Sequence, residues 1–174
     1  MTGFMGSGKS TIGPILANVL GYDFMDIDRA IELAVGMSVN DIFLESGEDH
    51  FRNIERELVA SLPNHQRHVI SLGGGTILDE RNFQTIASSG IVVYLKSSPG
   101  NIFKRIYHRE DRPVLKDSTG KRLTDEQLRE RVERLYLERE PVYAGSDFTI
   151  VTDDKKVGIT VDEIIRKLSP YITP

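Results

Sequence analysis

Gly3, Gly6, Gly8, Lys9 and Ser10, in the run GFMGSGKS, fit the spacing G-x-x-x-x-G-K-[ST] without a gap. Glycines at this spacing let the backbone curl so that successive N–H groups point inward at phosphate oxygens, where side chains would clash. The helix that follows adds its positive end to the same place. Lys9 reaches the outer phosphates of a nucleotide, and Ser10 offers a hydroxyl to Mg²⁺. The alternative is a plain glycine-rich turn before a helix.

Two carboxylates come next. Asp26 and Asp28 close the apolar segment Tyr22 to Ile27, at the carboxyl edge of an expected strand, where ligands sit in open α/β sheets. Residues two apart in an extended segment face one side, so both acids are expected to look into one cleft. One would hold Mg²⁺ through its water shell and the other would take a substrate hydroxyl's proton. The competing reading makes them an N-cap and a first-turn acid for the helix carrying Ile31 and Val35. A third strand, Val69 to Leu72, runs into Gly73, Gly74 and Gly75, and such a run admits a ligand close to the backbone. Arg52, with Glu55 three residues on to fix its guanidinium, Arg112 and Arg139 suit a carboxylate or a transferring phosphoryl. Each is also readable as a solvated surface charge, the commoner case for a lone arginine. Arg105 and Arg109 are spaced so that at least one lies against a nucleotide base.

The elements that must position these residues follow from pattern. Short apolar strands at Tyr22 to Ile27, Val69 to Leu72, Ile91 to Leu95 and Phe148 to Val151 alternate with helical stripes, which predicts a parallel sheet covered on both faces. Ile12, Ile15, Leu16, Val19 and Leu20 mark the helix after the glycine loop, and Phe51, Ile54, Leu58 and Leu62 mark another. Ser98 before Pro99 reads as an N-cap. Thr124 with Gln127 and Thr160 with Glu163 have capping-box spacing. Glu110 to Thr124 carries charge, Pro113 and Gly120 without an apolar period and is expected to be a mobile loop. Only two residues precede Gly3, so the strand that ordinarily leads into such a loop is expected to be missing or truncated.

At 174 residues the chain fits one α/β domain. Its hydrophobic fraction of 39% is that of an ordinary soluble protein, and no apolar run is long enough to span a bilayer. The formal charge of −4 offers no broad basic field to nucleic acid. With no cysteine there are no disulfides or thiolate metal sites, which suits a reducing cytoplasm. No leader pattern opens the chain.

Taken together, GFMGSGKST at Gly3 to Thr11, DFMDID at Asp23 to Asp28, GEDHFRNIE at Gly47 to Glu55, GGG at Gly73 to Gly75, REDRPVL at Arg109 to Leu115 and EREPVY at Glu138 to Tyr143 resemble the shikimate kinase family. The resemblance implies a three-layer P-loop NTPase fold of the nucleoside-monophosphate-kinase type, with a parallel five-stranded sheet flanked by helices. It implies a substrate-binding helical segment at about 28–56 and a lid at about 109–124. The implied activity is ATP-dependent phosphorylation of the 3-hydroxyl of shikimate, with ATP as co-substrate, Mg²⁺ as cofactor and no nucleic-acid or membrane partner, in a cytoplasmic monomer. Gly6, Ser7, Gly8, Lys9, Ser10 and Thr11 would hold the ATP phosphates, with Ser10 on Mg²⁺ and Asp26 supporting it. Asp28 would bind the shikimate hydroxyls and act as base. Arg52 and Arg139 would clamp the shikimate carboxylate, with Gly73, Gly74 and Gly75 bordering the same ligand. Arg112 would close over the γ-phosphoryl, and Arg105 would stack on adenine. Two other readings stand beside this one: a related kinase for gluconate or a nucleoside monophosphate, and a nucleotide-binding module without catalysis.

Overall fold

The computed structural model describes residues 1–107, 115 and 121–172. The hydrophobic pattern resolves into seven helices and four strands among these residues. Helix α1 spans Lys9–Leu20, β1 Asp23–Asp26, α2 Ile27–Val35 and α3 Val39–Ser61. Strand β2 is His68–Ser71, α4 Glu80–Ser89, β3 Val93–Lys96 and α5 Pro99–Ile106. Helix α6 is Asp125–Ala144, β4 Phe148–Val151 and α7 Val157–Leu168.

Strands β1 and β2 pair in parallel, with Asp26 opposite Ser71, and β3 and β4 pair in parallel, with Val93 opposite Phe148. Met1 and Thr2 join the two pairs. Leu72 N donates to Met1 O (3.0 Å) and the Met1 amino group to Ile70 O (2.6 Å). On the other side Thr2 N donates to Val93 O (2.8 Å) and Leu95 N to Thr2 O (2.9 Å). Two residues thus fill the central slot of a five-strand row ordered β1, β2, Met1–Thr2, β3, β4. Met1 and Thr2 stand in the place of the strand expected to be missing or truncated, and they satisfy backbone groups that a gap there would orphan on both neighbours.

Alternation along β3 shows why both faces are covered. Val93 and Leu95 pack with Ile12 and Leu16 of α1 and with Val161 and Ile164 of α7, while Tyr94 turns to the opposite core with Ile102, Tyr136 and Tyr143. The doubly covered α/β sheet expected from the sequence is the fold.

Local signals held where the backbone itself dictates them. Ser98 accepts from Asn101 N at the start of α5, and Thr124 with Gln127 forms a full capping box on α6. Thr160 does not cap: α7 begins at Val157, and the Thr160 hydroxyl bonds back to Lys156 O (3.3 Å) from inside the helix. The helix starts one turn further back than that spacing suggests, and Thr160 is buried within it beside Val161. Gly47, with φ 82° and ψ 170°, breaks α3 into two helical pieces, a conformation strained for any residue bearing a Cβ. Leu62 falls on a 3₁₀ turn beyond α3. Most of the expected mobile loop, including Arg109 and Arg112, lies outside the described residues, whereas Leu115 is buried in the core. No helix among the described residues is long and apolar enough to cross a membrane.

Where the protein starts at Met1, burial, and secondarily the charge of Lys9, lowers the pKa of its amino group from 8.0 to about 5. Between those values the unfolded chain binds the extra proton and the folded one does not, so stability climbs as pH rises from 5 to 8. In a protein that starts at Met1, acetylating that amine retains the N–H for Ile70 and removes the charge. It should raise Tm by several degrees at pH 6 and by nothing at pH 8, as scanning calorimetry would read.

Candidate active site

The glycine curl between Thr2 and α1 is built by steric necessity. A Cβ on Gly3, whose φ is 141°, would lie 2.5 Å from Leu95 O, so only glycine lets the loop leave the central slot against β3. Gly8, at φ 109°, ends the curl and stands where a capping side chain would be. Helix α1 has neither a side-chain cap nor an acid in its first turn, which leaves its positive end open to an anion. Lys9 is buried, and its Nζ donates to Gly3 O (2.7 Å) and Phe4 O (3.2 Å), tying the loop's beginning to its end.

A cleft of about 950 Å³ opens over this loop. Gly6, Ser7, Gly8, Lys9, Ser10 and Thr11 line its floor. Asp26, Asp28, Gly74 and Arg105 line its walls. Ser10 Oγ donates to Asp26 Oδ2 (3.4 Å), the hydroxyl and carboxylate pair the sequence reading assigned to magnesium. Asp26 also caps α2, accepting from Arg29 N (3.3 Å) through its other oxygen, as the N-cap reading expected. Asp28 reaches the cleft differently from the extended alternation expected. Strand β1 ends at Asp26, and Asp28 stands in the first turn of α2, swung inward by the helix.

The triglycine after β2 is where the remaining candidates converge. A Cβ on Gly73 would lie 2.6 Å from Asp28 Oδ1 and 2.9 Å from Thr76 Oγ1. One on Gly75 would lie 2.6 Å from an Arg52 guanidinium nitrogen. One on Gly74 would lie 3.7 Å from Met5 N and 4.0 Å from Arg139 Nη1. Asp28, Arg52 and Arg139 are thus gathered around three residues that have no side chains, hard against the phosphate loop. Arg52 and Arg139 do not line the main cleft and border its end instead.

Arg52 is held on three sides. It donates to Glu48 Oε1 (3.0 Å) and Glu55 Oε2 (2.8 Å), and its guanidinium lies 5.3 Å from the Phe51 ring centre. Glu55 is only 1% exposed, and its second oxygen accepts from Thr76 Oγ1 (2.7 Å). Burial by itself would lower the Arg52 pKa, but the Glu55 and Glu48 carboxylates outweigh it and raise it above its ordinary value. Arg139 sits 5.7 Å from the Phe4 ring centre.

Arg105 and Thr152 brace the loop from outside. Arg105 donates to Gly6 O (3.0 Å) and Thr152 O (3.2 Å), and Thr152 Oγ1 donates to Ser7 O (3.1 Å). Beside them burial opposes ionisation of Asp153, yet hydrogen bonds from Ser97 Oγ and from Ser98 N hold its pKa at about 2. The motifs leave Thr152 and Thr76 without a role. Their signals were thin: a threonine after β4, and a threonine directly after GGG.

The chain matches the shikimate kinase family over residues 5–169. It belongs to that family. The shikimate kinase of Chlorobaculum tepidum is 47% identical over 172 residues, 99% of this chain and 90% of that protein. That of Chlorobaculum parvum is 48% identical, over 99% and 92%. Among solved structures, shikimate kinase from Acinetobacter baumannii in complex with shikimate superposes with a TM-score of 0.86 at 29% identity, covering 99% of this chain and 93% of that one. Shikimate kinase from Aquifex aeolicus gives 0.80 at 32% identity, over 97% and 94%. A gluconokinase from Sinorhizobium meliloti, at 0.55 and 19% identity, shares the fold alone. Membership in the shikimate kinase family decides between the acceptor chemistries that the sequence left open, in favour of shikimate.

The glycine contacts give a direct test of this geometry. Gly73→Ala should push the Asp28 carboxylate away and cut kcat at least about tenfold, and Gly75→Ala should displace Arg52 and raise the acceptor KM. Steady-state kinetics, with circular dichroism to confirm folding, reads both. Wild-type constants in either variant would refute the stated close approach.

Proposed function

We propose that this cleft transfers the γ-phosphoryl of ATP to the 3-hydroxyl of shikimate, with the residues gathered at Gly73, Gly74 and Gly75 holding the acceptor. The observation that carries the reading is the adjacency of Asp28, Arg52 and Arg139 to an anion-binding loop. An organic acid fits there with its carboxylate between two guanidinium groups and a hydroxyl at Asp28.

The chemistry is an in-line displacement. The bond from the γ-phosphorus to the β-bridging oxygen breaks as a bond to the attacking alcohol oxygen forms, and ADP leaves. Asp28 accepts a hydrogen bond from the hydroxyl, orients it and takes its proton. Lys9 and the open amino end of α1 stabilise charge on the phosphates. Arg52, preset by Glu48 and Glu55, and Arg139 fix the acceptor so that little entropy is left to lose on the way to reaction. Ser10 and Asp26 would hold Mg²⁺ carried by the nucleotide, and the ion would supply positive charge to the β- and γ-phosphates. Arg105, exposed and anchored at Gly6 O, turns its plane toward the base side of the cleft in this proposal. Arg112 lies outside the described residues, and its part in screening the transferring group rests on the motif REDRPVL alone. The α2 and α3 segment serves as the acceptor-binding part, in a monomer acting in the cytoplasm, a compartment that suits a chain without cysteine.

Release of ADP should be observed with shikimate and Mg²⁺ and not with gluconate or AMP offered in parallel. Turnover on gluconate matching that on shikimate would overturn the acceptor assignment. Asp28→Asn retains shape and loses basicity; its kcat should fall about 10²- to 10⁴-fold while the KM for ATP stays near that of the parent. A kcat within a factor of three of wild type would remove Asp28 from the proton transfer.

A further inference from the structure

Tyr143 lies on α6 one turn beyond Arg139, so both side chains leave the same face of the helix. It is 0% exposed, and its ring is set 5.4 Å from that of Tyr94 at 34°. Its hydroxyl donates to Gly74 O. The Arg139 guanidinium reaches the same glycine, since a Cβ on Gly74 would lie 4.0 Å from Arg139 Nη1. The buried hydroxyl and the guanidinium proposed for the substrate carboxylate therefore meet at the middle glycine.

We propose that Tyr143 is a positioning residue for the acceptor, its hydroxyl fixing Arg139 and the Gly74 peptide in one register. A phenol suits this task because it donates and accepts at a single atom, and because the stacked ring has no other rotamer to visit. Arg139 hangs on a flexible stem, and its other near neighbour is the face of Phe4, which sets height above the ring but not direction in its plane. Gly74, lacking a side chain, has no packing of its own to orient its peptide. Without the hydroxyl, the guanidinium and the glycine would each lose the partner that aligns it to the other. Tyr143 touches no reacting atom in this account and acts only through these two residues.

The inference rests on the reading that Arg139 and Gly74 hold shikimate, so the wild-type protein is assayed first; no ADP release with shikimate would fail that reading itself. Given activity, Tyr143→Phe should raise the shikimate KM about tenfold, the loss of a buried hydrogen bond, with the ATP KM unchanged and kcat within about threefold. Combined with Arg139→Lys it should cost little more than Arg139→Lys alone, because the two residues act as one unit. Tyr94→Phe, which removes a buried hydroxyl that meets Tyr136 at 3.5 Å, controls for loosening of the aromatic stack and should leave the shikimate KM in place. Should Tyr143→Phe not fold, 3-fluorotyrosine introduced at 143 alters the phenol without shortening it, and the shikimate KM must then move more than twofold while the ATP KM does not. An unchanged shikimate KM, a loss shared equally with ATP, or additivity with Arg139→Lys overturns the proposal.

Discussion

The space left by three absent side chains governs how this cleft is assembled. Strand β2 ends at Ser71, and the chain then passes through Gly73, Gly74 and Gly75 so near to Met5 N, Asp28, Arg52 and Arg139 that Cβ atoms at the first and last would sit within 3 Å of charged groups. A carboxylate and two guanidinium groups from three different helices are brought around one short stretch of backbone. Opposite charges are thereby held near one another without neutralising contact becoming the only outcome, because buried Glu55 and exposed Glu48 already engage Arg52. Preorganisation of this kind is what an enzyme needs where catalysis is mostly positioning and charge stabilisation.

That arrangement depends in turn on the central slot of the sheet. Met1 and Thr2 supply only two residues to it, yet they bond to β2 on one side and β3 on the other and so fix where Gly3 begins its curl. The curl is then wedged from outside by Arg105 and Thr152, both bonded to loop carbonyls. The phosphate loop is therefore set by backbone pairing below and side-chain bracing beside it, with Lys9 crossing between its ends. Each device satisfies buried backbone groups that would otherwise be costly, and each also places an atom of the site.

Several of these features were legible from residues alone. Strand Phe148–Val151 appears with the expected bounds, and the caps at Ser98 and Thr124 form as their spacing requires. These depend on contacts within a few residues, which sequence spacing encodes. The expectations that shifted were those about where a helix begins. Strand β1 stops at Asp26 because that residue caps α2, which moved Asp28 from an extended to a helical setting. Thr160 lost its expected cap because α7 begins at Val157 and takes the threonine inside the helix as a buried residue.

The sequence by itself determined that a glycine curl would lead into a helix with Lys9 and Ser10 at its start, that the sheet would be parallel and covered on both faces, and which charged residues were candidates. Chain-local geometry and hydrophobic period are properties of residue order, so order suffices for them. Only the tertiary structure decided that Asp28, Arg52 and Arg139 gather at the triglycine, that Thr76 bonds to Glu55 and Thr152 to the phosphate loop, and that the Tyr143 hydroxyl reaches the Gly74 carbonyl. Those are contacts between residues as far as 145 positions apart, and nothing in local spacing specifies which side chains a folded core will bring within hydrogen-bonding distance.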